Sequence, residues 1–141
     1  MRYFLILMIT LWPGLSCAGE IEVEMLNKLN NEYMVYSKKI VKVNVGDTVF
    51  WKATDQSHNV EFIKGAVPEG VEAFKSKLSK DVSYEFKIPG IYAYWCTPHK
   101  SLGMIGFVIV GNDLSNKEDI SSVKYFGKSR KIAEQLIEQL I

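Results

Sequence analysis

Four residues in this chain, all of types that bind soft and borderline metals, stand out by their spacing, and two of them are its only histidines. Cys96, His99 and Met104 fall within the run YWCTPHKSLGM, Tyr94 to Met104, and His58 stands well upstream. Cys96 ends an aromatic, strand-like segment, His99 follows it, and Met104 closes the same short loop. One turn can therefore aim a thiolate, an imidazole and a thioether at a common point. A thiolate and two imidazoles near one plane, with a distant methionine as weak axial ligand, form the recurrent donor set of electron-transfer copper. Zinc accepts cysteine and histidine, but methionine is not among its usual ligands. Taken singly, a cysteine or a methionine is an ordinary core residue and a histidine an ordinary hydrogen-bonding one. The coincidence of both histidines with one thiol and one thioether outweighs those separate readings. Pro98 stiffens the loop by fixing its own φ.

His58 can reach that loop only if strand ends distant in sequence share one pole. Glu20 to Met25 reads EIEVEM, which puts Ile21, Val23 and Met25 on one face of a strand. Val41, Val43 and Val45 alternate likewise up to a turn at Gly46-Asp47, after which Val49, Trp51 and Ala53 resume the pattern. Val82, Tyr84 and Phe86 repeat it before Pro89-Gly90, IYAYW follows, and Phe107 to Val110 is a last short apolar strand. Regularly spaced strands of this kind predict an all-β fold, an antiparallel sandwich or barrel. Beyond Gly111 the pattern becomes helical. Ser115 is the expected N-cap of a helix through Val123, and Ser129 to Ile141 carries Ile132, Leu136, Ile137 and Leu140 at helical spacing. These two short helices are expected to lie across the sandwich as a lid.

The chain has 141 residues, 48% of them apolar or aromatic, enough for one core. Residues 1–18 have a basic Arg2, an apolar run, a Pro-Gly break and small residues at Ser16 and Ala18, the layout of a secretory signal peptide cut before Gly19. A minor alternative makes Cys17 a lipidation site. Residues 19–111 then form the metal-binding domain and residues 112–141 a helical extension packed on it. Removing Arg2 takes 17 basic residues to 16, against 16 acidic ones, so the mature chain is near neutral and has no field for nucleic acid. Cleavage leaves Cys96 as the only thiol, which excludes an internal disulfide. Multinuclear copper enzymes need more histidines than two, so the expectation is no enzyme. A copper-delivery protein without redox cycling is the alternative to a carrier.

CTPHKSLGM resembles the ligand loop of the cupredoxins. EIEVEMLNK, VGDTV, SHNVEFIKG, EAFKSKL and GMIGFVIVG, together with the helical extension, are similar to the pseudoazurins within that family. The resemblance implies a Greek-key sandwich and one copper ion on His58, Cys96, His99 and Met104. It implies that Asn59 ties the two ligand segments together and that Met34 lies beside the exposed histidine. It further implies a monomeric periplasmic electron carrier, off the membrane once the signal is removed. Redox proteins, in several members copper nitrite reductase, dock on a lysine ring for which Lys28, Lys64, Lys75, Lys77 and Lys100 are the candidates. Gln56 and Trp95 depart from the family pattern, in which lysine is common at both places. Strand alternation puts Trp95 opposite Cys96, so it is expected to pack under the C-terminal helices.

Overall fold

The computed structural model describes residues 17–141, so the predicted signal peptide lies outside the described residues apart from Cys17 and Ala18. In chain order the strands are β1 (Glu20–Leu29), β2 (Glu32–Tyr36), β3 (Ile40–Val43), β4 (Thr48–Lys52), β5 (Glu61–Phe62), β6 (Val82–Glu85), β7 (Gly90–Trp95) and β8 (Ile105–Val110), followed by helices α1 (Lys117–Ser122) and α2 (Lys128–Glu138). They form two four-stranded sheets, ordered β2-β1-β4-β6 and β3-β8-β7-β5.

The alternation read in the sequence decides what each sheet buries. In the first sheet only one face is covered: Val23, Met25, Val49 and Trp51 point between the sheets while Glu20, Glu22 and Lys52 face water. In the second sheet β7 and β8 are buried along their whole length. Tyr92, Tyr94, Val108 and Val110 enter the core between the sheets, and Ile91, Ala93, Phe107 and Ile109 enter a second core under the helices. Burial on both faces is why these strands read as unbroken apolar runs. Each large apolar side chain so covered contributes on the order of 2 kcal/mol.

The sandwich is not wholly antiparallel, as the alternation suggested. β1 runs parallel to β4, and β3 parallel to β8, while the β1–β2, β4–β6, β5–β7 and β7–β8 pairs are antiparallel. A side-chain period of two is common to both pairing modes, so alternation alone does not distinguish them. Val45 also departs from expectation. β3 ends at Val43, and Val45 is exposed in the turn, where the Asp47 carboxylate accepts the Asn44 N–H at 2.8 Å and the Gly19 N–H at 2.7 Å. That carboxylate ties the start of β1 to the turn before β4. The two N–H donors hold its pKa below the ordinary range.

Both helices are shorter than the sequence pattern suggested. α1 starts from Asn116 rather than Ser115, whose N–H turns back to the Asp113 carboxylate. The Asn116 side chain does not cap the helix either, because it accepts from the Ile91 N–H and donates to the Ile91 carbonyl, both at 2.9 Å. It thereby fastens the extension to the head of β7. α2 lays Ala133, Leu136 and the following Leu140 on the outer core. No helix among the described residues is long and apolar enough to cross a membrane.

Candidate metal centre

β7 and β8 form a hairpin, and the segment joining them carries three of the four sequence-predicted ligands. The hairpin is closed by the Cys96 N–H donating to the Met104 carbonyl at 3.0 Å. Between them Thr97–Leu102 makes a short 3-10 helix with Pro98 in its first turn. Gly103 ends it at φ 96°, a left-handed conformation for which glycine is suited. Cys96 and Met104 are fully buried in the inter-sheet core, whereas His99 is half-buried at the pole.

The second arm is the segment through His58 and Asn59, both buried. The Asn59 side chain accepts the Thr97 N–H at 2.8 Å and donates to Thr97 Oγ1 at 3.0 Å and to the Ser76 carbonyl at 3.2 Å. Its own carbonyl accepts from the buried Tyr36 hydroxyl at 2.7 Å. Asn59 therefore ties the His58 segment to the Cys96 loop. Thr97 Oγ1 goes on to donate to Glu61 at 2.7 Å, and the Trp95 indole N–H donates to the same oxygen at 3.2 Å. Burial raises the pKa of Glu61, but these two donors and Lys75 outweigh it and hold the carboxyl below its ordinary range.

Asn27, near the end of β1, orients His58 and was not singled out in the sequence. Its Oδ1 lies 2.9 Å from His58 Nε2 and can only accept, so the ring proton sits on Nε2 and Nδ1 keeps a free lone pair. Asn27 is itself held by its N–H, which donates to the Asp55 carboxylate at 2.6 Å. The one available sign was its phase: position 27 continues the inward series of Ile21, Val23 and Met25 with a polar residue.

Three donor atoms converge at the pole. His58 Nδ1 lies 3.1 Å from His99 Nδ1, and Cys96 Sγ lies 3.8 Å from the former and 3.4 Å from the latter. A triangle with those sides has its centre about 2 Å from every corner, close to the metal–nitrogen and metal–sulfur bond lengths of first-row ions. Among the described residues this is the grouping of histidine, cysteine and acidic side chains that could hold a metal. Electrostatics suit a cation. Burial lowers the pKa of both imidazoles, and for His58 the neighbouring His99 lowers it further while Asp55 opposes, so both rings are held in their neutral, ligating form. Burial raises the Cys96 thiol, and the backbone N–H groups of Asn59 and His99 partly offset that rise. A cation at the centre would favour the thiolate.

The remaining sequence candidates are more dispersed. Met34 adopts φ 52° in β2 opposite Asn27, packs on the core that Cys96 and Met104 share, and borders a shallow hollow with Leu102 and Gly103 of the ligand loop. Lys64 and Lys75 line one groove with Trp95, and Lys75 pairs with Glu61 at 3.4 Å. The Lys100 ammonium sits over the rings of Trp95 and Phe126, 5.0 and 4.8 Å from their centroids. Lys28 lies on β1 with its ammonium over Tyr33, and Lys77 is exposed just after Ser76. Trp95 is packed rather than displayed, against Phe126 at 5.6 Å between ring centroids.

The fold and this donor set define a copper protein, and the comparisons agree. The profile of copper-binding proteins of the plastocyanin/azurin family matches residues 23–111, and the chain belongs to that family. Within it the chain is similar to the pseudoazurins. It is 40% identical over 128 residues to the pseudoazurin of Paracoccus pantotrophus, covering 91% of this chain and 87% of the other. The crystal structure of native pseudoazurin from Hyphomicrobium denitrificans superposes with a TM-score of 0.82 at 36% identity, covering 86% of this chain and 98% of that one. Pseudoazurin from Methylobacterium extorquens gives 0.83 at 33% identity, with 86% and 99% covered.

Proposed function

We propose that this protein is a periplasmic electron carrier that passes single electrons through one type 1 copper ion held by His58, Cys96, His99 and Met104. The observation that carries this reading is the triangle of two Nδ1 atoms and one Sγ, with one imidazole buried and the other at the surface. Bound copper supplies a one-electron couple. The protein's part is to keep the donor geometry nearly constant in both oxidation states, and each constraint has a residue. Asn27 fixes the His58 ring, Asn59 joins the two ligand arms, and the β7–β8 hairpin holds Cys96 and Met104. His99 turns Nδ1 inward and leaves its outer edge toward solvent, bordered by the exposed Pro98 and Leu102. That edge is the shortest path between the site and a docked partner.

The partner is a redox protein that docks on this apolar rim. Lys100, Lys75 and Lys64 suit an acidic face such as a copper nitrite reductase could present. Export would follow cleavage before Gly19, giving a monomer free of the membrane. One equivalent of Cu(II) should give the purified protein an intense blue band, a narrow-hyperfine EPR signal and a reversible one-electron midpoint. A colourless complex would remove the type 1 assignment. A blue complex without a reversible midpoint would favour copper delivery.

A further inference from the structure

The turn that carries His99 is weakly held by its own hydrogen bonds. His99 N–H reaches the Cys96 carbonyl at 3.1 Å, and the Gly103 and Met104 N–H groups reach the Lys100 and His99 carbonyls at 3.3 Å. The last two lie just beyond the ordinary range of N–H···O contacts, as expected of a 3-10 turn. No residue of the turn itself is buried. Yet an electron carrier needs the His99 ring to stay in place.

Asn59 and Glu61 hold the start of the turn at Thr97, and support beyond His99 comes from the far end of the chain. Ser129, in the first turn of α2, is fully buried, and its hydroxyl donates to the carbonyl of Lys100, the residue next to His99. Around that bond the two segments are in close contact. Gly127 lies so near the turn that a Cβ there would come within 2.5 Å of the Ser101 carbonyl oxygen. A Cβ on Gly103 would come within 2.5 Å of Ile132 Cδ1. Lys100 extends over Phe126, just before α2. The Lys100 carbonyl thus takes one long bond from inside the turn and one from α2.

We propose that Ser129 is a positioning residue for the ligand His99: by pinning the Lys100 carbonyl it makes the C-terminal helix the outer wall of the ligand loop. The helical extension then acts on the site as well as covering the outer core. This rests on the copper reading for its electron-transfer consequences, but the pin itself is a property of the metal-free chain and can be tested there.

The test compares Ser129→Ala with Ser129→Thr, which keeps a hydroxyl, and with Leu136→Ala, which weakens α2 packing away from the loop. In copper-free protein, hydrogen exchange of the His99, Gly103 and Met104 amides should speed about tenfold in Ser129→Ala, with Ser129→Thr close to the parent. In copper-loaded protein, the same variant should shift the EPR hyperfine splitting and the midpoint potential and slow electron self-exchange severalfold. Leu136→Ala should lower Tm at least as much while leaving these readouts unchanged. Unchanged loop exchange in Ser129→Ala overturns the pin. Equal changes in Leu136→Ala overturn it too, by showing that general loosening is responsible. A parent protein that is not blue refutes the copper reading and leaves the exchange result standing.

Discussion

The two histidines of the site are held in opposite ways. His58 is fully buried, its Nε2 proton is committed to Asn27, its carbonyl accepts the Ser79 N–H at 2.9 Å, and the next residue is locked by four hydrogen bonds. His99 rides a short turn, presents one nitrogen to the site and keeps its other edge toward water. One arm supplies rigidity and the other supplies access. An electron carrier needs both, and no single residue can provide them together.

Experiments can break or sharpen this contrast, beginning with the atom both arms share. Cys96→Ser should abolish the blue band and lower copper affinity by orders of magnitude, while the copper-free Tm moves only a few degrees, because the cores supply most of the stability. Titration with Cu(II) and thermal denaturation check both halves. Next, Asn27→Ala frees the His58 ring and should lower copper affinity about 10–100-fold, the usual range for outer partners of a ligand. On the opposite arm, Leu102→Ala should leave affinity unchanged in the same Cu(II) titration while slowing reduction by a partner. Equal losses from both substitutions would erase the distinction.

A pH series separates the arms further. Both imidazoles have folded-state pKa values below the ordinary value of about 6.5, chiefly through burial. The unfolded chain therefore takes up protons first as pH falls. Copper-free stability should be full above about pH 6.5 and decline below it until the folded rings also titrate. Thermal melts from pH 8 to pH 5 should show this slope, and His58→Gln should flatten it more than His99→Gln. The smallest effect concerns docking: the association rate with an acidic redox partner should fall as salt rises, and Lys100→Gln should reduce that dependence. Stopped-flow kinetics over an ionic-strength series decide whether charge or apolar contact guides the encounter.

Much of the site was legible because its chemistry is carried by residue type and local spacing. Cys96, His99 and Met104 share one turn, and their types alone suggested a soft metal. Fold class was readable from the alternation of β1, β3, β4 and β6, whereas β7 and β8, buried on both faces, read as continuous apolar runs. Asn27 was not legible, because its role depends on which strand end meets His58, and that depends on a parallel β1–β4 pairing that alternation does not encode. The helix start was misplaced for a related reason. Ser115 has cap chemistry, but Asn116 is engaged by β7 and Ser115 by Asp113, two tertiary and turn preferences that local propensity does not contain. Ser129 was placed on a helix, but its contact with Lys100 joins segments that only the closed sandwich brings together.

The pairing of β3 with β8 joins Ile40 to Phe107 and Val43 to Val110, so the sheet is completed by a contact between chain segments far apart in sequence. Loop-closure entropy opposes such a contact, and domains dominated by them fold slowly. The His58 segment reaches the hairpin turn by another such contact, the pairing of β5 with β7 and the bonds of Asn59 to Thr97, and without it the chain offers a metal ion only a thiol, an imidazole and a thioether on one short segment. The fixed three-cornered clasp is therefore a property of the finished fold.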